Sequence, residues 1–440
     1  MPPRILILGA GPTGLGAALR CVELGYTNWK LYEKNPTAGG LAGSLRDSKG
    51  FSWDFGGHVF FSKYKRIHDL IQTLGSSFFI SHSRRAFIHL FGLHIPYPFQ
   101  QHLEHLPQDI SRLCRQTHAT DTEELSSGKD FKTWLEKKFG PHQYRIFFCP
   151  YNTKVCGYPL SELSSTWMDQ RISPPSHIEQ QKNWGPNSRF YYPVQGGMGG
   201  LFQSLAQRVN DFIAYDQEII QIDPINRTIK CQSGLTDSFD MLISTGPLTK
   251  LITALRPNAP ETIESSARRL RWNSSSITGM GFRGATDKKA TWVYYPEPQF
   301  SFHRVSALSS YSADVVPDNN PDRFSSFLCE TTLVDSTKVP SSAEILSNLY
   351  NTNLSLPVEH KELVSATQIF LPYSYPIPTC DREHHLSILQ SFLESNSIYS
   401  RGRFGGWRYE TGNMDHCLLQ GMEIIDRLLL DKKETVYRMP

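Results

Sequence analysis

Gly9, Gly11 and Gly14 stand in the order Gly-Ala-Gly-Pro-Thr-Gly, and Glu33 lies nineteen residues beyond the last of them. Glycines at this spacing let a backbone approach a pyrophosphate at the N-terminus of a helix, where unpaired N–H groups and the helix dipole favour an anion. A carboxylate at the end of the next strand then takes ribose hydroxyls. That chemistry needs a strand before the glycines and a helix after them. Ile5 to Leu8 is a short apolar run, and Leu15, Ala18, Leu19 and Val22 follow the i, i+3, i+4, i+7 stripe of an amphipathic helix. A second strand is expected from Trp29 to Glu33, which completes a Rossmann βαβ unit.

A further glycine turn, Gly39-Gly40-Leu41-Ala42-Gly43-Ser44, follows shortly after the acid. The two turns together resemble the FAD-binding superfamily that includes amine oxidases, protoporphyrinogen oxidase, GDP dissociation inhibitors and UDP-galactopyranose mutase. The resemblance implies that the dinucleotide is FAD, with Gly40 and Leu41 joining Gly9, Gly11, Gly14 and Glu33 as cofactor contacts. Asp54-Phe-Gly-Gly57-His58-Val59-Phe60-Phe61 comes next, a glycine pair before a histidine. Such a histidine is either packed and satisfied by backbone or set against a flat ring that the glycines let approach closely.

The remaining elements follow from periodicity. From about Leu103 to Gln181, helical stretches (Phe131 to Phe139, Gln143 to Phe148) and a polar linker at 117–128 predict a helical insertion. Strands are expected at Ser275 to Phe282, Thr291 to Tyr295, Phe324 to Cys329 and Leu363 to Phe370, with a loop at 312–323. The chain then runs through a strand ending at Ser400 and a loop carrying Gly402, Gly405, Gly406 and Gly412 into a closing helix. Asn413 or Asp415 can cap that helix, and Leu418, Met422, Ile425 and Leu429 mark its buried face. Its N-terminus is aimed back from the glycine loop, which places Asn413 and Asp415 among the expected cofactor contacts.

Composition excludes several classes of function. The 440 residues are 39% hydrophobic and 12% aromatic, enough for two or three domains around one cleft. Lys and Arg number 45 against 42 Asp and Glu, a net charge of +3, with no block of like charges to bind nucleic acid. No apolar run approaches the roughly 18 residues of a membrane span. The eight cysteines form no C-x-x-C pair and no zinc spacing, so no metal is expected, and a reducing cytoplasm fits them best.

Five motifs carry a closer likeness: Gly56-Gly57-His58-Val59, Pro96-Tyr97-Pro98-Phe99-Gln100, Pro150-Tyr151-Asn152-x-Lys154-Val155, Asn183-Trp184-Gly185-Pro186-Asn187 and Gly402-Arg403-Phe404-Gly405-Gly406-Trp407-Arg408-Tyr409-Glu410. In that order, from about residue 4 to 430, they resemble the eukaryotic UDP-galactopyranose mutases. The resemblance implies that Gly57, His58 and Arg403 lie beside the isoalloxazine ring and that Arg171 and Arg304 take the substrate diphosphate from opposite sides. Tyr375 and Tyr409 would add phenolic hydroxyls to the same phosphates, and Tyr97 and Gln100 would hold the uracil. Trp292, Tyr294, Asn187 and Asn413 would line the ribose and galactose side, with Phe61, Asn152 and Trp184 also in the substrate set. His58, Arg171, Arg304 and Arg403 form the implied catalytic group. Two departures stand out: Cys149 where a basic residue is usual, and Cys156 with Gly157 where an aromatic is expected. Neither has a His or Asp beside it in sequence, and both read as structural.

The implied fold is α/β, with a Rossmann-type FAD-binding domain, a helical domain and an antiparallel β-sheet substrate domain. The expected boundaries are 1–88, 196–246 and 398–440 for the FAD domain, 104–186 for the helical domain with its flap, and 89–103, 187–195 and 247–397 for the sheet domain. The implied activity interconverts UDP-galactopyranose and UDP-galactofuranose through a covalent adduct on N5 of reduced FAD, with NADPH or NADH as reductant and a UDP-sugar as partner. The alternative within the superfamily is an amine-oxidase-type oxidoreductase acting on a small metabolite, which would consume oxygen. A flavin-free binding protein like the GDP dissociation inhibitors is the reading from another class.

Overall fold

The computed structural model describes residues 2–116, 130–168, 188–287, 290–335, 337–352 and 362–438. Its fold is mixed α/β. Five parallel strands lie in the order Ile398–Ser400, Met241–Ser244, Ile5–Leu8, Trp29–Tyr32 and Ile213–Ala214. The run Ile5-Leu-Ile-Leu8 is apolar at every position because this central strand is covered on both sides. Ile5 and Ile7 face one core with the helices Pro12–Glu23, Gly197–Gln207 and Met414–Leu430. Leu6 and Leu8 face another with Leu248–Ala254, Glu261–Arg269 and Arg382–Ser395. The second layer of helices therefore comes from the stretch 247–397.

The fingerprint helix Pro12–Glu23 and the closing helix Met414–Leu430 cross with their backbones touching. A Cβ on Gly16 would lie 2.1 Å from the Leu418 carbonyl oxygen, and one on Gly421 would lie 2.0 Å from that of Thr13. Leu418, Met422 and Ile425 are buried as the spacing predicts, while Leu429 is only half-buried near the helix end. The tail beyond this helix is anchored by Arg401, which is fully buried and donates to both Glu394 and Glu434.

A seven-stranded sheet runs Leu363–Ile377, Arg271–Arg283, Phe324–Leu333, Arg304–Ala307, Trp292–Tyr294, Ala86–Leu90 and Leu93–Pro96. Its pairings are antiparallel but for one. Ala86–Leu90 pairs in parallel with Trp292–Tyr294, because the early hairpin Ala86–Pro96 is added beside strands from the second half of the chain. That strand straddles the expected boundary at 88. Arg189–Pro193 pairs instead with Phe79–Ser83 in a separate two-stranded ribbon.

The helical part is built on Gln108–Arg115, Phe131–Gln143, a π-helical turn Tyr144–Phe148 and Cys149–Cys156. Asp130 caps the second of these by accepting from Thr133 N at 3.0 Å, and the helix breaks at Gly140 (φ 76°) before Pro141. Its core of Phe99, Phe131, Trp134, Phe139, Phe147 and Phe148 leans on the hairpin Ala86–Pro96. Among the described residues no helix is long and apolar enough to cross a membrane.

Candidate active site

Three glycine loops meet at the start of the fingerprint helix. Gly9 has φ +99°, and a Cβ on Gly14 would sit 1.8 Å from the Gly9 carbonyl oxygen, so both positions require glycine for the fold itself. Gly11 is different: its φ is −76°, and a Cβ there would meet only Gly40 Cα at 3.8 Å. Packing leaves that position open, and a glycine there keeps room for a ligand in front of the helix. Gly11 is the N-cap and offers no side-chain cap, so the first N–H groups of the helix stay available for an anion.

Glu33 is buried at the end of its strand and accepts from Ala10 N at 2.6 Å and Asn35 N at 2.9 Å. Two backbone donors thus fix the carboxylate beside the glycine turn, leaving lone pairs for hydroxyl groups. Gly402 (φ +90°) abuts Thr13 of the same helix. Asn413 is the N-cap of the closing helix, but its side chain makes no capping bond, so the capping expected from sequence is not made there. In the first turn, Asp415 is buried with Oδ1 lacking a hydrogen-bond partner. A buried carboxylate oxygen without a donor, an open Gly11 and two helix N-termini without side-chain caps fit a dinucleotide carrying hydroxyls and a pyrophosphate.

Beyond this cradle, Arg403 donates to the carbonyls of Ser374 (3.1 Å) and Gly412 (3.2 Å), and its guanidinium lies 4.5 Å from the centre of the Tyr375 ring. Gly56 and Gly57 carry the chain past the ion pair of Arg304 and Glu330 to His58. A Cβ on Gly57 would lie 2.5 Å from Ser306 Oγ, 2.8 Å from Glu330 Oε1 and 3.1 Å from Arg304 Nη2. The glycine pair therefore admits this ion pair, a neighbour that its sequence did not announce. Loss of hydration holds the His58 imidazole down at about 4; Glu330 pulls it up, while Arg403 and Arg304 push it further down. His58 is thus neutral at physiological pH, and its buried Nδ1 has no hydrogen-bond partner.

Arg304 and Glu330 are opposite residues on paired strands. Arg304 donates through Nε and through Nη2, the latter at 2.8 Å. Burial alone would raise the Glu330 carboxyl, but the charge and hydrogen bonds of Arg304 hold it below its ordinary value. Around this pair stand phenols: Tyr97 and Tyr294 with ring centres 5.1 Å apart, Tyr151 and Tyr294 at 5.3 Å, Tyr375 and Tyr409 at 5.7 Å. Tyr151 feels the charge of Arg304 and the phenols of Tyr294, Tyr97 and Tyr375 at once. Phe147, four residues earlier at the end of the π-helical turn, stacks on its ring at 5.4 Å.

His58, Arg304, Arg403, Tyr97, Tyr294, Tyr375 and Tyr409 are accordingly brought together. Gln100 is half-buried on the turn Phe99–Gln101 just beyond Tyr97, and Phe61 is half-buried after Phe60. Trp292 is buried against Phe190, ring centres 5.7 Å apart. Asn152 donates to the Phe148 carbonyl of its own helix at 2.7 Å. Arg171, Trp184 and Asn187 lie outside the described residues. Cys149 and Cys156 are free, and burial pushes the Cys156 thiol up to about 12, so it is no nucleophile.

Residues 12–415 match the family model of the flavin containing amine oxidoreductases. A crystal structure of reduced UDP-galactopyranose mutase shares 33% identity with this chain at a TM-score of 0.91, covering 99% of this chain and 96% of that one. The chain belongs to the UDP-galactopyranose mutase family.

Other solved structures share only the fold with this mutase-family chain. Putrescine oxidase bound to putrescine has a TM-score of 0.69 at 14% identity over 97% of this chain and 99% of its own. A fatty acid isomerase from P. acnes has a TM-score of 0.66 at 13% identity over 97% and 99%. Zeta-carotene desaturases of Zea mays and Synechocystis sp. are 34% and 36% identical over 73 residues, 17% of this chain. That stretch is only 13% and 15% of those proteins' own length.

Two residues of the mutase-family site were missed from sequence. Glu330 is the charged residue in Phe324–Leu333, a strand of otherwise apolar and small polar side chains, and a charge in such a run demands a partner. Tyr151 sat inside a quoted motif, but only the fold sets it against Tyr294.

Proposed function

We propose that this chain is a UDP-galactopyranose mutase, interconverting UDP-galactopyranose and UDP-galactofuranose. The observation that carries the reading is the end-to-end likeness, at 33% identity, to a structure of that enzyme. The cofactor proposed for the glycine cradle is FAD, held by Gly9, Gly11, Gly14, Glu33, Gly40, Leu41, Asn413 and Asp415, with Gly57, His58 and Arg403 toward its ring. When bound and reduced, the flavin would supply a nucleophile for the anomeric carbon of the sugar nucleotide.

The chain's own residues do the rest. Arg304, with Arg171, binds the diphosphate both as it leaves and as it returns, and Tyr375 and Tyr409 add hydroxyl donors. Tyr97 and Gln100 hold the base; Phe61, Asn152, Trp184, Asn187, Trp292 and Tyr294 complete the substrate set. His58, kept neutral by burial, is a hydrogen-bonding partner at the reacting centre instead of a second cation. A nicotinamide donor, NADPH or NADH, is the proposed reductant. Eight unpaired cysteines fit a reducing compartment, and the cytoplasm is the proposed location.

The test is to incubate dithionite-reduced protein with UDP-galactofuranose and follow the products by chromatography. Accumulation of UDP-galactopyranose with no net consumption of reductant is the expected result. An unchanged substrate with a fully reduced, flavin-loaded protein would overturn the reading.

A further inference from the structure

The Arg304 guanidinium does not face the cleft as a free cation. Its Nε and Nη2 both donate to Glu330, which is 3% exposed and directly opposite it in the ladder. A guanidinium carries five N–H groups in one plane. Side-on contact through Nε and Nη2 uses two and leaves the Nη1–Nη2 end, a second fork, for another acceptor. Ser306 and the backbone of Gly57 wall the pair in, so the side chain has little room to swing. Arg304 feels the phenols of Tyr375 and Tyr294, and Glu330 feels His58.

We propose that Glu330 is a positioning residue: it holds Arg304 side-on so that the free Nη1–Nη2 fork meets the diphosphate of the sugar nucleotide. This rests on Arg304 being a diphosphate ligand, as in the reading above. Because Glu330 offsets the charge, Arg304 acts as an oriented pair of donors. Affinity then depends on where the fork points and not on net charge alone. A lysine could serve Glu330 or the phosphate but offers no second fork.

Isothermal titration of flavin-loaded protein with UDP tests this, on wild type, Glu330→Gln, Arg304→Ala and the double variant. Each single change should weaken UDP binding about tenfold or more. The double variant should bind no more weakly than Arg304→Ala, since Glu330 acts only through Arg304. Glu330→Asp keeps the charge while drawing the carboxylate back by one methylene. It should also weaken binding with flavin content unchanged, and it keeps the test readable if Glu330→Gln does not fold. Wild-type affinity in Glu330→Asp, tighter binding in Glu330→Gln, or losses that multiply in the double variant would overturn the positioning role. A wild-type protein that does not bind UDP would instead remove the functional reading beneath it.

Discussion

At the residue scale, Gly11 lies open in front of the fingerprint helix. Gly11→Val should yield protein without bound flavin, since the side chain would fill the space that packing leaves open before the helix N-terminus. The visible spectrum of the purified variant checks this. Arg304→Ala should cost about 3–5 kcal/mol of stability, because it strands the buried Glu330 carboxylate. Denaturant unfolding should show the double change Arg304→Ala with Glu330→Gln recovering part of that loss. His303 is buried beside the same pair and held down at about 4 by lost hydration, against about 6.5 in an unfolded chain. As pH falls between these values, the unfolded chain takes up a proton that the folded one refuses, so stability is lost with acid. The loss amounts to about 3 kcal/mol from this residue. His58 acts in the same direction, while Asp54, raised to about 6 by burial, acts in the opposite one. Unfolding of wild type and His303→Gln at pH 7 and about 4.5 should therefore show the variant losing less stability in acid than the wild type.

At the scale of elements, the fingerprint and closing helices cross in backbone contact at Gly16 and Gly421. Gly421→Ala would put a Cβ 2.0 Å from the Thr13 carbonyl oxygen and 2.6 Å from Ala17 N, both backbone atoms that cannot move aside singly. It should cost about 1–3 kcal/mol or more and weaken flavin retention, because Thr13 belongs to the first turn at the pyrophosphate position. Thermal unfolding and flavin content after gel filtration measure both effects. That crossing was not legible in sequence: Gly16 and Gly421 look like ordinary helix glycines until two segments about four hundred residues apart are seen to touch. The fingerprint was legible because its signals are local, an apolar run, a glycine spacing and a helical stripe. The strand at Arg271–Arg283 was legible for the same reason, though it extends past the expected Ser275 to Phe282. The parallel pairing of Ala86–Leu90 was not, since it depends on a partner two hundred residues away.

Two architectures share one cleft at the scale of the whole molecule. The parallel sheet and its glycine loops offer helix N-termini to a dinucleotide. The seven-stranded sheet supplies Arg304, Glu330, Tyr294 and Tyr375, and the helical part lays Tyr151 over them. The fold is shared with putrescine oxidase, and a fold does not by itself decide a function; the proposed sugar-diphosphate site rests on the oriented arginine and its ring of phenols. Turnover should accordingly depend on reduction and should not consume oxygen. The direct measurement is UDP-galactofuranose conversion by the same flavin-loaded sample before and after anaerobic reduction, with peroxide assayed alongside. The account predicts no conversion when oxidised, conversion to UDP-galactopyranose when reduced, and no stoichiometric peroxide. An oxidised enzyme that turns over a substrate with one peroxide per turnover, and a reduced one that leaves UDP-galactofuranose unchanged, would contradict it.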